Sequence, residues 1–221
     1  MNGDLLKLIQ SIDSLFPIGS YTLSNGMETY VQKDIVTTEK ELETHLHSYL
    51  YMLSFNDLAF AARAHDGADI EKLDALCGAS KAPSELRNAS MKQCIRFLKL
   101  HTALDDYPLL MHYKQLVDNG RSDGHYCIAM GLFIREIGVD LPTALELYCY
   151  SILSSITNHA VKLVPLRQLD GQRALLKAER EIPAAVKRAM AVEYNALGAS
   201  GCGIDIRSMQ HETLYSRLYI S

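Results

Sequence analysis

The stretch Ser155-Ile-Thr-Asn-His-Ala-Val-Lys-Leu-Val-Pro-Leu-Arg-Gln-Leu-Asp-Gly-Gln-Arg-Ala-Leu-Leu176 carries an apolar helical pattern that stops at Pro165 and resumes after a polar connector. A proline inside such a pattern removes an N–H donor and clashes with the preceding turn, and it pushes the residue before it, Val164, out of helical geometry. The chain must therefore break here. Arg167, Gln168, Asp170, Gly171 and Gln172 cluster at the break. Two amides, a carboxylate and a guanidinium are rich in hydrogen-bonding groups, but none is a good nucleophile and the connector has no histidine to activate one. The junction reads as a surface for recognition or shaping.

Away from the break, three- and four-residue apolar spacing dominates, and no Asn-Gly or Asp-Gly pair lies between alternating hydrophobic runs. The chain is expected to be all-α, a single compact multi-helix domain of roughly nine or ten helices. Helical patterns run over 4–14, from about 24–28, and from Thr38, whose Glu41 three residues on completes a capping-box signature, continuously to Gly67. Others cover 69–77, 84–103, 108–117, 125–137, 142–163, 168–180 and 183–197. Residues 1–198 form the helical domain. Residues 199–221 begin with a glycine-rich joint and continue as an amphipathic segment, expected to be flexible and suited to docking on a partner. A last helix folded back on its own core is the alternative, and both stay open.

With 221 residues the chain can bury a sizeable core, and its net charge of −4 disfavours nucleic acid. The N-terminal segment has no basic run, long apolar stretch or small-residue cleavage site, so a secretory leader is not expected. Nor does any window approach the roughly 18 apolar residues of a membrane span. Five widely spaced cysteines without a Cys-x-x-Cys pair suit reduced thiols in a cytoplasmic protein. Cys202, between two glycines, is the one that could be an exposed thiol or a ligand shared between copies.

Chemistry-bearing patterns are sparse. His45 and His47 diverge by roughly 200° on a helix, and the other six histidines stand alone in sequence, so no metal cage is expected. Phosphate-binding glycine loops and the serine-nucleophile elbow are absent. Twelve tyrosines against no tryptophan leave a second reading, a helical small-molecule enzyme with a tyrosine-rich pocket, although core packing also uses tyrosine.

Four segments together resemble the urease accessory protein UreF family. They are Asp13-Ser-Leu-Phe-Pro-Ile-Gly-Ser-Tyr-Thr-Leu-Ser-Asn-Gly-Met-Glu28, Glu85-Leu-Arg-Asn-Ala-Ser90, Asn158–Gln172 and the tail from Asp205 through His211-Glu-x-Leu-Tyr-x-Arg-Leu218. The resemblance spans nearly the whole chain with its motifs in family order. Three positions depart from it: Arg167 replaces a usual glycine, His159 is extra, and Lys92 or Gln93 replaces a glycine. The resemblance implies a non-enzymatic cytoplasmic homodimer that binds UreD (UreH in some organisms), recruits the GTPase UreG and helps insert nickel into apo-urease. It implies no tightly bound cofactor, with nickel handled by the complex. On that footing Glu28, Lys162, Gln168 and Gln172 are expected to shape a polar surface used by the GTPase or metallochaperone, and His211, Leu214, Arg217 and Leu218 to belong to the tail that docks on UreD/UreH. Asn158, Pro165 and Gly171 fit a plain backbone role at the junction, and for Gln168 and Gln172 bracing and partner contact remain equally open.

Overall fold

A bare glycine sets how closely the two central helices approach. The computed structural model describes residues 2–219, and within them lie α1 (Asn2–Ile12), α2 (Met27–Gln32), α3 (Glu39–Leu53), α4 (Asp57–His65), α5 (Ile70–Ser80) and α6 (Ser84–Leu104). They are followed by α7 (Pro108–Asp118), α8 (Tyr126–Ile137), α9 (Leu141–Leu163), α10 (Gln168–Glu179), α11 (Ile182–Ala191) and α12 (Cys202–His211). No strand occurs among the described residues. Helix α8 is buried on nearly every face, the mark of a central helix. It packs most extensively on the alanine-rich α4. A Cβ on Gly131 would lie 2.1 Å from the carbonyl oxygen of Ala61, so only glycine permits this contact. Helices α6 and α7 also lie against α8, while α3, α9 and α11 surround α4 and α10 rests on α3 and α9.

The Thr38–Glu41 capping box forms as expected: the Glu41 amide donates to the Thr38 hydroxyl at 3.3 Å, and the Thr38 amide to the Glu41 carboxylate at 3.0 Å. The helix expected to run on from there to Gly67 instead divides into α3 and α4. Asn56 leaves helical geometry at φ −111°, ψ −113°, and its side-chain amide donates to the carbonyls of Met52 (3.2 Å) and Ala199 (2.9 Å). The returning chain also claims the Phe55 carbonyl through the Gly198 amide. A short polar side chain that can bond the backbone competes with the helix ladder, and here a distant segment rewards the break. The pattern read over 183–197 likewise ends early, at Ala191, where Val192 becomes extended and its carbonyl accepts from the Arg63 guanidinium. The split into α3 and α4, together with α12 in the C-terminal segment, gives twelve α-helices among the described residues in place of nine or ten.

The segment expected to swing on a glycine joint is folded in this structure. Helix α12 packs on α2 and α6, burying Ile204, Ser208 and His211, and Tyr219 is buried beyond it. Ile220 and Ser221 lie outside the described residues. Cys77, Cys94, Cys127 and Cys149 are buried and free, whereas Cys202 is exposed. Burial pushes the Cys149 thiol up to about 12. His45 and His47 do diverge, one buried beside Tyr30 and Tyr49 and the other exposed and paired with Glu181.

Two outcomes follow from this core. Gly131→Ala must separate α4 from α8, and we expect a loss of about 1–3 kcal/mol or more, read as a lower urea midpoint. Burial lowers both His45 and His101 to about 4, below the 6.5 of an exposed imidazole. The folded chain therefore holds fewer protons than the unfolded one between pH 6.5 and 4, so their contribution is full above 6.5 and is lost on acidification through that window. At about 1.4 kcal/mol per unit the two rings cost on the order of several kcal/mol by pH 4. Denaturant midpoints at pH 7 and pH 4.5 check this, and His45→Phe should flatten the dependence.

Candidate functional site

The Ser24-Asn-Gly-Met-Glu28 sequence builds a tight entry to α2. Asn25 and Gly26 both take positive φ, 54° and 81°, in a conformation that glycine and asparagine tolerate best. A Cβ at Gly26 would fall 2.6 Å from the Ser208 hydroxyl, so the same glycine admits α12. The turn directs Glu28 inward, and only 2% of it is exposed. This corrects its expected place on a polar surface, because a buried carboxylate must find donors and Glu28 finds them in the tail.

The amides of Leu218 and Tyr219 donate to Glu28 at 2.7 and 3.0 Å, and the Gln32 side-chain amide reaches Glu28 at 3.4 Å and the Ser216 carbonyl at 2.8 Å. His211, wholly buried, lies between two carboxylates: its Nε2 is 3.2 Å from Glu28 Oε2 and its Nδ1 is 2.6 Å from Glu85 Oε2. Each ring nitrogen thus faces a different carboxylate. Arg217 donates to the other Glu85 oxygen at 2.7 Å. His211 therefore ties the tail to the body instead of facing outward, a second correction to its expected role on the docking surface. Leu214 is half-buried, while Arg217 and Leu218 are exposed.

The third motif meets the same cluster. The buried His159 ring stacks obliquely on Tyr219, centroids 4.4 Å apart, and its Nε2 lies 2.9 Å from the Tyr21 carbonyl oxygen. Lys162 is exposed, with its ammonium 4.2 Å from the Tyr21 ring centroid and donating to that hydroxyl. Residues from all four sequence motifs thus converge: Glu28 and Tyr21, Glu85, His159 and Lys162, and His211 with Arg217. Glu85, Gln32 and Tyr219 were missed as site residues. Glu85 stood in a quoted motif, but a helix-start glutamate is ordinary by itself, and only its pairing with a distant histidine distinguishes it.

At the Pro165 break, α9 ends at Leu163 and Val164 is extended, as the proline requires. Arg167 sits at φ −70°, ψ 151°, so this position needs no glycine. Its guanidinium makes two 3.0 Å bonds to Asp170, whose carboxylate also accepts the Arg167 amide at 3.2 Å and is held below its ordinary range by that guanidinium. Gly171 lets α10 close on α9, since a Cβ there would meet Val161 at 2.4 Å. Gln168 and Gln172 are exposed and, among the described residues, neither side chain has a hydrogen-bond partner. They share the outer face of α10 with the exposed Leu169 and Leu176. Bracing of the turn falls to Arg167 and Asp170. The Asn158 side chain is exposed and takes no part in it.

A cavity of about 130 Å³ lies between α3, α6, α9 and the start of α12, with Tyr49, Tyr126 and Tyr148 in its wall. Burial raises all three hydroxyls, so they stay protonated phenols. Lys81 and Asp57 pair there at 3.0 Å. Burial opposes the Lys81 charge, but Asp57 outweighs it and keeps the ammonium above its ordinary range.

An all-helical body closed by a carboxylate-anchored tail, with an amide-lined helix face left open, has the form of a protein that presents surfaces. The UreF family model matches residues 36–179. The urease accessory protein UreF of Actinobacillus pleuropneumoniae serotype 3 (strain JL03) is 35% identical over 99% of this chain and 100% of its own length. That of Arthrobacter sp. (strain FB24) is 35% identical over 98% of this chain and 96% of its own, and that of Haemophilus influenzae (strain ATCC 51907 / DSM 11121 / KW20 / Rd) 32% over 99% and 96%. The chain belongs to the UreF family.

Replacing Glu28 with alanine strands His211 between one carboxylate and a void and frees the two tail amides. A buried pair broken on one side costs about 3–5 kcal/mol. We expect a loss of that order in urea unfolding, with faster amide exchange at Leu218 and Tyr219. Unchanged exchange at both would mean that Glu28 does not hold the tail.

Proposed function

We propose that this protein is an accessory factor, not a catalyst, in urease maturation: a cytoplasmic homodimer that binds UreD/UreH and recruits the GTPase UreG, so that nickel passes as cargo into apo-urease. The observation that carries the reading is membership in the UreF family over nearly the entire chain. In this proposal the exposed Arg217 and Leu218, with the half-buried Leu214, form the contact for UreD/UreH, and Glu28 and His211 hold that contact in shape. Exposed Tyr215 lies within the same segment and adds apolar area. The outer face of α10, with Gln168, Leu169, Gln172 and Leu176, receives the GTPase, and Lys162, exposed on α9 beside Tyr21, adds a further polar contact. Paired apolar and amide groups on a rigid helix suit such a contact, because burial supplies affinity and the amides fix register.

The tyrosine-walled cavity favours a second reading, a small-molecule enzyme. Its phenols are raised and its one lysine is paired with Asp57, so neither is poised as a base or nucleophile. Turnover by the isolated chain would restore that reading.

Co-expression with the urease operon partners tests the scaffold. Removing residues 200–221, or introducing Leu218→Glu, is expected to abolish co-purification with UreD/UreH and lower the nickel content of urease at least about tenfold, the effect of losing about 1.4 kcal/mol or more at an interface. Leu169→Glu with Leu176→Glu should retain UreD/UreH and lose UreG. Full urease activity without this protein would refute the function; unchanged complexes in these variants would refute only the assigned surfaces.

A further inference from the structure

Asp123 and His125 lie on the Asn119-to-Gly124 turn and the residue after it, and Asp74 faces them from α5. One ligand atom from each of the three lies within 4.8 Å of the other two. Asp74 is buried and its carboxylate orders the turn, accepting the Asp123 amide at 2.7 Å and the Gly124 amide at 3.2 Å together with the Tyr113 hydroxyl. His125 is wholly buried. Its Nδ1 lies 3.3 Å from the Ser90 hydroxyl, whereas its Nε2, also buried, has no hydrogen-bond partner.

An orphaned ring nitrogen facing two carboxylates is costly unless something positive or protic stands between them. The space for it comes from Gly78. A Cβ on that residue would sit 3.0 Å from His125 Nε2 and 3.3 Å from Asp123 Oδ2, so both ligand atoms converge on the point that the glycine leaves bare. We propose that Asp74, Asp123 and His125 form a mononuclear site for a borderline divalent transition-metal ion, such as Ni²⁺ or Zn²⁺. An imidazole with two carboxylates suits such ions and disfavours Mg²⁺, which takes oxygen ligands and water. Metal bonds of about 2.0–2.2 Å hold neighbouring ligand atoms roughly 3–3.5 Å apart, so the exposed Asp123 side chain must draw inward on binding. A histidine ligates a metal through the neutral imidazole. Nδ1–H can then donate to Ser90, leaving the Nε2 lone pair for the metal, a second-shell arrangement typical of histidine ligands. Asp123 is exposed and gives the ion a route to solvent, so exchange is expected to be rapid.

Nothing in this inference depends on the maturation role. Calorimetric titration of the chelator-stripped full chain with Ni²⁺, Zn²⁺ and Mg²⁺ tests it, joined by ¹⁵N spectra of the histidine rings. One site per chain for Ni²⁺ or Zn²⁺, absent for Mg²⁺, with a shift of the His125 Nε2 signal on Zn²⁺ addition, is the expected result. Asp123→Asn, at an exposed position, should weaken binding at least about tenfold with an unchanged melting temperature, since even outer-shell changes cost 10–100-fold. Gly78→Ala, which leaves every ligand in place and fills the gap, should weaken it comparably. Binding that survives both variants, an unmoved His125 signal, or no site at all would overturn the assignment.

Discussion

Closure of the chain rests on one buried carboxylate. Glu28 faces inward because two left-handed residues, Asn25 and Gly26, aim the first turn of α2 at α12. An ionised carboxylate cannot remain there without donors, and the amides of Leu218 and Tyr219 together with His211 supply them. Glu85 and Arg217 complete the arrangement from α6 and the tail. The path of residues 212–219 follows from satisfying that group, while apolar packing of α2 on α9 and of α12 on α6 shares in placing the two helices. The α4–α8 contact is the complementary constraint in the apolar interior, where the absence of a side chain at Gly131 does what the presence of one does at Glu28.

Much of this was legible in the sequence for local reasons. Pro165 breaks the helix through its own ring, and the Thr38–Glu41 box is complete within four residues. Helix type followed from spacing. Asn56 was not legible, because an asparagine in a helical pattern becomes a break only when the Ala199 carbonyl arrives to accept its amide. Glu28 and His211 fall in the same category. Each was rightly singled out by its motif, but the motif carries no sign that one would bury the other. Arg167 shows the converse: a departure that raised a question of backbone strain proves to occupy an ordinary extended conformation.

The two candidate surfaces differ in kind. The outer face of α10 is presented by a helix clamped to α3 through Lys177 with Glu39 and Glu43, and Arg173 with Glu39. Its exposed glutamines and leucines are thus displayed on a rigid support, as a contact that fixes a partner's register requires. The tail offers its apolar groups on irregular chain whose shape depends on a few buried polar contacts. Binding at the first costs little reorganisation, and binding at the second is sensitive to anything that disturbs Glu28 or His211.

The clasp at Glu28 also orders events during synthesis. His211 lies 183 positions after Glu28, and the two amides 190 and 191 positions after it. While those residues are still to be made, Glu28 has none of these donors and keeps its hydration, so α2 can rest on α9 through Met27 but lacks its polar clasp. The helices between can assemble through near neighbours, but the N-terminal entry to α2 must wait for the chain's far end, and such long loop closure is slow. The earliest of the four motifs to be translated is thereby among the last to be locked.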